Sequence, residues 1–319
     1  MRNYKMMIYR ICLSVCLILA CIRFVGAQDA EPKKASLDVN STPPASSEIM
    51  ALLKFAPMPE SHLPRAFKDT IDNVITDPTG SLNAFFSKMV EMKRPVRIVH
   101  VGDSHVRGHV LPYVMRKSLE EDFGGEAVEP KPVSYQTSGI AKETGKAGIV
   151  YHILGLNGAT CRSFTTQERI QEITELSPDL VILSFGTNEA HGRNYSSADL
   201  KRNLDKLVNG IKEACPEAVF LLTTPPGAYV KSENGKIVNP RTPAVVQTEL
   251  DYAKRAGFAV WDLYDIAGGK KSACTNWVAG GFFQKDRIHF THEGYRVQGL
   301  LMHEAFIKAY NGYVAARLE

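Results

Sequence analysis

Ser104 stands far from Asp286 and His289 in this chain, but their types and spacing suit acyl transfer. A hydroxyl nucleophile needs a base to take its proton, and the base needs a third group to orient it. Ser104, in the run Gly102-Asp103-Ser104-His105, supplies the hydroxyl. His289 can accept its proton. Asp286 lies three residues earlier and reaches the other ring nitrogen if the segment turns, because that spacing puts both side chains on one face. Acyl transfer also needs donors aimed at a developing oxyanion. The backbone N–H groups of Ser104 and Gly158 and the side-chain amide of Asn188 would supply three. A glycine at 158 permits close approach of the backbone.

Each of these residues also has an ordinary structural reading. A serine after Asp at a strand end is a natural helix N-cap. Asn188, in Gly186-Thr187-Asn188-Glu189, suits a turn, and so does Gly158. His292 competes with His289 as the base, but only His289 follows an aspartate by three positions. Asp103, His105, Glu189 and His191 are candidates to line the pocket, with Asp103 bracing the nucleophile loop rather than reacting. For His105, His109 and His191 the alternative is a hydrogen-bonded or exposed ring. A metallophosphoesterase site would require Asp-x-His followed by Gly-Asp and Gly-Asn-His. Asp103-Ser104-His105 fits the first element and the others are missing, so no metal ligand and no organic cofactor are assigned.

The elements that must position these residues alternate. Apolar, β-rich runs at 96–101, 149–154, 180–184, 218–222 and 258–261 are separated by helical patterns near 110–123, 167–176, 198–214 and 244–255, with a closing helix at 293–310. Strands alternating with helices indicate a parallel sheet covered on both faces, and the apolar runs at 180–184 and 218–222 suit strands buried on both sides. The expected fold is therefore a three-layer α/β/α sandwich around a mostly parallel five-stranded sheet. In such sheets ligands bind beyond the carboxyl ends of the strands. The Ser104, Gly158 and Asn188 motifs each follow a strand, and Asp286-Arg287-Ile288-His289 precedes the last helix. Residues 126–148 read as an elaborated loop.

These four blocks resemble the SGNH or GDSL hydrolase superfamily: Gly102-Asp103-Ser104, the lone Gly158, Gly186-Thr187-Asn188-Glu189, and Asp286-x-x-His289 with its extension to Tyr295. The resemblance covers about 94–310. It implies a flavodoxin-like fold, a Ser104–His289–Asp286 triad, an oxyanion hole of Ser104, Gly158 and Asn188, and no cofactor. It departs from the common pattern at His105, where many members have an apolar residue, and at Glu189, where Asp is commoner. Branches with Gly-Asp-Ser-His include enzymes of acetylated polysaccharides and peptidoglycan, so the expected substrate is a short-chain, acetyl-type ester on a carbohydrate or cell-wall polymer. A lipase or thioesterase acting on longer chains, and a non-catalytic polysaccharide-binding module, are the alternatives.

The chain has 319 residues, 38 basic and 34 acidic. Arg2, Lys5, Arg10 and Arg23 fall in the first 27, which contain no acid, so the remainder is formally neutral. A neutral body argues against a nucleic-acid partner. The basic start, the apolar run Ile11 to Ile22 and Val25-Gly26-Ala27 read as a secretory signal peptide over 1–27, with a mature start at Gln28. The rival reading is a lipobox, Ile18-Leu19-Ala20-Cys21, which would anchor the protein to a membrane through Cys21. Either way the location is extracytoplasmic, periplasmic or secreted. Residues 28–48 form a Pro/Ser-rich linker, 49–93 a helical extension packed on the domain (with a helix near 81–92), and 94–319 the hydrolase domain. Cys161, Cys215 and Cys274 remain after cleavage. Cys215 suits a buried thiol, and Cys161 with Cys274 either pair or stay free.

Overall fold

The computed structural model describes residues 55–130 and 139–317. The proposed signal peptide, Cys21 and the 28–48 linker lie outside these residues. The central sheet has six strands, one more than expected: β1 (Ile75–Thr76), β2 (Pro95–Gly102), β3 (Gly148–Gly155), β4 (Leu180–Ser184), β5 (Val219–Thr223) and, after a separate hairpin of β6 (Tyr229–Ser232) and β7 (Gly235–Val238), β8 (Ala259–Trp261). Their order is β1-β8-β5-β4-β2-β3. All neighbours pair in parallel except β1, which runs antiparallel to β8. The extra strand therefore comes from the N-terminal region that reads as helical, and that region's helix is α1 (Asn83–Glu91).

Alternation along the buried strands divides the core between the two faces. Ile98, Leu180, Ile182 and Leu221 point toward α1, α3 (Val110–Phe123) and the long α10 (His292–Ala315), whose Met89, Met115, Leu119, Leu301 and Phe306 complete that layer. Val99, Val101, Val181, Leu183 and Leu222 point the other way, toward α4 (Gln167–Thr174), α6 (Ser197–Ala214) and α7 (Thr242–Ala256), with Ile173, Leu204, Ile211 and Tyr252. The remaining helices are short or peripheral: α2 (Ser104–Arg107), α5 (Thr187–His191), α8 (Leu263–Ile266) and α9 (Gly269–Ala279). Among the described residues no helix is long and apolar enough to cross a membrane. Cys161, Cys215 and Cys274 are all free; Cys161 and Cys274 are buried, and Cys215 is only half-buried.

The register fixes where the loops emerge. Gly102 lies opposite Gly155 on one side and Ser184 on the other, and Ser184 lies opposite Thr223. These strands thus end at one level. The chain passes from β2 to β3 on one flank and then to β4 on the other, so the direction of winding reverses between β2 and β4. Such a reversal opens a crevice at the carboxyl ends of the strands, here flanked by Ser104 and Asn188.

Candidate active site

The Ser104 loop begins at Gly102, where a Cβ would lie 2.5 Å from both the Ser184 carbonyl oxygen and Val106 Cγ2. Only glycine lets β2 and β4 close up while Val106 folds over them. Asp103 is extended and caps α2, its Oδ1 accepting from the His105 N–H at 2.8 Å. Ser104 is thereby placed at the first position of α2, half-buried at the lip of a cleft of about 440 Å³ lined also by Arg107, Asn157, His289, His292 and Tyr295. Burial raises the Asp103 carboxyl to about 7, although the His105 N–H, the nearby His289 and the Asn188 amide pull it down.

The Asp286–His289 segment closes by local hydrogen bonds. Asp286 Oδ1 accepts from the backbone N–H groups of Ile288 (2.9 Å) and His289 (3.0 Å), and Arg287 takes a left-handed φ of 56° to make the turn. Asp286 Oδ2 accepts from His289 Nδ1 at 2.6 Å. With Nδ1 protonated, Nε2 is left as the acceptor, and it lies 3.0 Å from Ser104 Oγ. Partial burial would raise the Asp286 carboxyl, but the His289 ring and the two N–H groups outweigh it and lower it below the usual carboxylate range. The next residue anchors the turn: Phe290 is fully buried, stacked on Phe283 and edge-on to Trp277.

The third motif joins the other two. The Asn188 amide donates to Ala159 O at 2.9 Å and to Asp103 Oδ2 at 3.2 Å, linking the turn after β3 to the Ser104 loop. Glu189 ties the same turn down, accepting from Cys161 N–H (2.6 Å) and Gly186 N–H (2.9 Å). Burial raises the Glu189 carboxyl to about 7 against the pull of those N–H groups. Gly158 sits exposed in that turn at φ 71°, with open space where a Cβ would stand, so its backbone angle rather than crowding calls for glycine.

The other expected lining residues lie elsewhere. His105 is buried, its Nδ1 2.9 Å from the Tyr295 hydroxyl and its ring 5.5 Å from that of His289. Burial lowers it to about 3, so it is neutral beside His289. His191 is fixed between the carbonyls of Thr187 and Tyr229. His109 is buried in a left-handed conformation at the start of α3. His292 lines the cleft, but it is His289 that contacts Ser104. Asp103, His105, Asn188, His191 and His289 are not gathered into a cage: among the described residues no three His, Cys, Asp or Glu side chains are grouped to hold a metal ion.

Two features carry no sequence signal. His100, inside β2, bridges Tyr151 (2.8 Å) and Ser184 (2.7 Å), and Ser184 receives a hydrogen bond from Thr223 at 2.7 Å, forming a polar chain across four strands. Glu249, inside α7, is buried near Glu189, Asp262 and Asp103, with one carboxyl oxygen lacking a partner among the described residues. Their neighbours lie far off in sequence, so spacing does not mark either residue.

Among solved structures, a peptidoglycan O-acetylesterase is similar with a TM-score of 0.64 at 19% identity, over 75% of this chain and 99% of the other. An acetyl xylan esterase gives 0.47 at 14% identity, over 65% and 98%. A GDSL-like lipase from Bacteroides thetaiotaomicron gives 0.44 at 18%, over 71% and 99%. At these identities the likeness to the first is one of fold. No curated protein matches the chain in sequence. The model of the GDSL-like lipase/acylhydrolase family matches residues 101–297, which hold all four motifs. The chain is a carboxylic ester hydrolase and belongs to the GDSL-like lipase/acylhydrolase family.

Proposed function

We propose that the protein removes short acyl groups, acetyl above all, from a carbohydrate or cell-wall polymer by a serine-esterase mechanism. The observation that carries this reading is the continuous run from Ser104 Oγ through His289 to Asp286, at 3.0 and 2.6 Å. His289 Nε2 takes the Ser104 proton as Oγ attacks the ester carbonyl, and Asp286 holds the ring and stabilises its cationic form. The oxyanion is received by the N–H groups of Ser104 and Gly158 and by the Asn188 amide. That amide turns from Asp103 Oδ2, the longer of its two contacts. His289 then delivers its proton to the leaving alcohol, and water releases the acyl group by the same route in reverse.

The substrate class is supported by the cleft beside Ser104, where Arg107, Asn157, His289 and His292 provide hydrogen-bonding groups and a long acyl chain would find few apolar partners. A fold in common with a peptidoglycan O-acetylesterase agrees with it. The test is hydrolysis of p-nitrophenyl acetate and its longer-chain homologues by residues 28–319 beside Ser104→Ala. Turnover confined to short chains, with the mutant slower by about 10⁴ or more and equally stable, is expected. Preference for long chains would mean a lipase or thioesterase. Turnover by Ser104→Ala at the parent rate would remove the nucleophile. We also propose export, with cleavage before Gln28. N-terminal sequencing of the mature protein tests it, and a lipidated Cys21 is the competing outcome.

A further inference from the structure

The turn after β3 is a ridge between two clefts. Asn157, on one side, lines the cleft beside Ser104. Thr160, on the other, lines a second cleft of about 530 Å³. That second cleft is lined by Asn188 and Glu189, and also by Arg162, Asn194, Tyr195 and Asn203. Asn188 donates both to Ala159 in the ridge and to Asp103 beside the nucleophile, so the second cleft begins one side chain away from the reacting loop.

Its lining combines fixed and available groups. The Tyr195 hydroxyl lies 2.6 Å from Thr248 Oγ1 and 3.2 Å from Ala244 O, which holds the phenol ring in place. Arg202 is held by Asp199 on the next turn. Arg162, Asn194 and Asn203 are different: their side-chain donors engage no hydrogen bond or ion pair among the described residues, and Asn203 is half-buried. Amides and a guanidinium around a fixed aromatic ring suit a ligand with many hydroxyls, each able to donate and accept. They offer little to an acyl tail, whose transfer from water needs apolar contact. The volume admits a sugar ring, and the cleft lies across the 157–160 ridge from Ser104.

We propose that this second cleft, through Arg162, Asn194, Tyr195 and Asn203, binds the sugar residues adjoining the esterified one, so that a glycan chain crosses the 157–160 ridge. The inference rests on the esterase reading above and specifies where its polymer lies.

Asn203→Ala with Arg162→Ala tests it. Alanine is well tolerated at a helical position such as 203, and the Arg162 side chain is exposed. The substrates are p-nitrophenyl acetate, acetylated xylan oligosaccharides and O-acetylated peptidoglycan fragments. The double variant is expected to raise KM about 10-fold or more on at least one glycan, leaving kcat on it and kcat/KM on p-nitrophenyl acetate within about twofold. Equal loss on the small ester would mean structural damage and overturn the subsite, as would parent-like behaviour on every glycan. A parent enzyme no faster on any glycan than on p-nitrophenyl acetate would also overturn it, while leaving the esterase intact. Absence of Ser104-dependent hydrolysis of every ester would instead defeat the esterase reading, and this inference with it.

Discussion

Ser104 and His289 meet at 3.0 Å, yet the segments that carry them differ sharply in burial. The serine loop is fixed by burial. Asp103, His105 and Val106 are all buried, and Gly102 is pressed against Ser184. The histidine turn is fixed by local hydrogen bonds: the Asp286 and His289 side chains are 43% and 37% exposed, and one carboxylate satisfies two backbone N–H groups and the ring. Changes in the first region should therefore register in stability, and changes in the second in turnover. On the proposed mechanism, the sheet fixes where Ser104 stands, and the more exposed turn carries the residue that moves the proton.

The largest effect should come from Asp286→Ala, which removes the acceptor of the ring and of both N–H groups. A fall of about 10³–10⁴ in kcat is expected, with a melting temperature close to the parent's. A large thermal loss there would break the contrast. Asn188→Ala should cost about 10²–10³ in kcat if its amide meets the oxyanion. Steady-state kinetics at full rate would remove it from that role and leave it as a tie between Ala159 and Asp103. Val106→Ala is expected to show the reverse signature, destabilising by about 2 kcal/mol in denaturant unfolding while the triad contacts persist.

The smallest effect sharpens the buried side. Burial holds the Glu249 carboxyl well above its ordinary 4.5, reinforced by Glu189, Asp262 and Asp103. The unfolded chain releases that proton near 4.5, whereas the folded chain retains it. Stability from this group is therefore complete at low pH and is lost as pH rises from about 4.5 toward the folded value. Glu249→Gln should gain on the parent between pH 5 and pH 8, by about 2–4 °C in melting temperature. A constant difference across that range would contradict the assignment.

Much of this was legible in the sequence because chemistry and strand ends coincide. Gly102-Asp103-Ser104, Gly158 and Gly186-Thr187-Asn188-Glu189 each follow an apolar run, and a parallel sheet sends all such loops to one edge. The elements that escaped lack a pattern. Ile75–Thr76 is too short to show alternation, and β7 is exposed throughout. Helix α9 starts at a glycine and buries Ser272 and Asn276 beside Ala273 and Trp277, so no apolar stripe marks it. His105 and His191 are bonded to Tyr295 and to backbone carbonyls, partners that spacing does not reveal. The second cleft is assembled from residues 160 to 203 across three elements, and only their meeting in space discloses it.

The order of the parts along the chain has a temporal consequence. Ser104 and His289 are separated by 185 positions, and His289 lies just before α10, which packs on the same face of the sheet as α3. During synthesis the serine emerges early and the histidine late. On the proposed mechanism, a growing chain lacks its Ser104–His289 pair until most of it has been made. Under that mechanism, a chain that stops before His289 lacks the base and cannot hydrolyse an ester by this route.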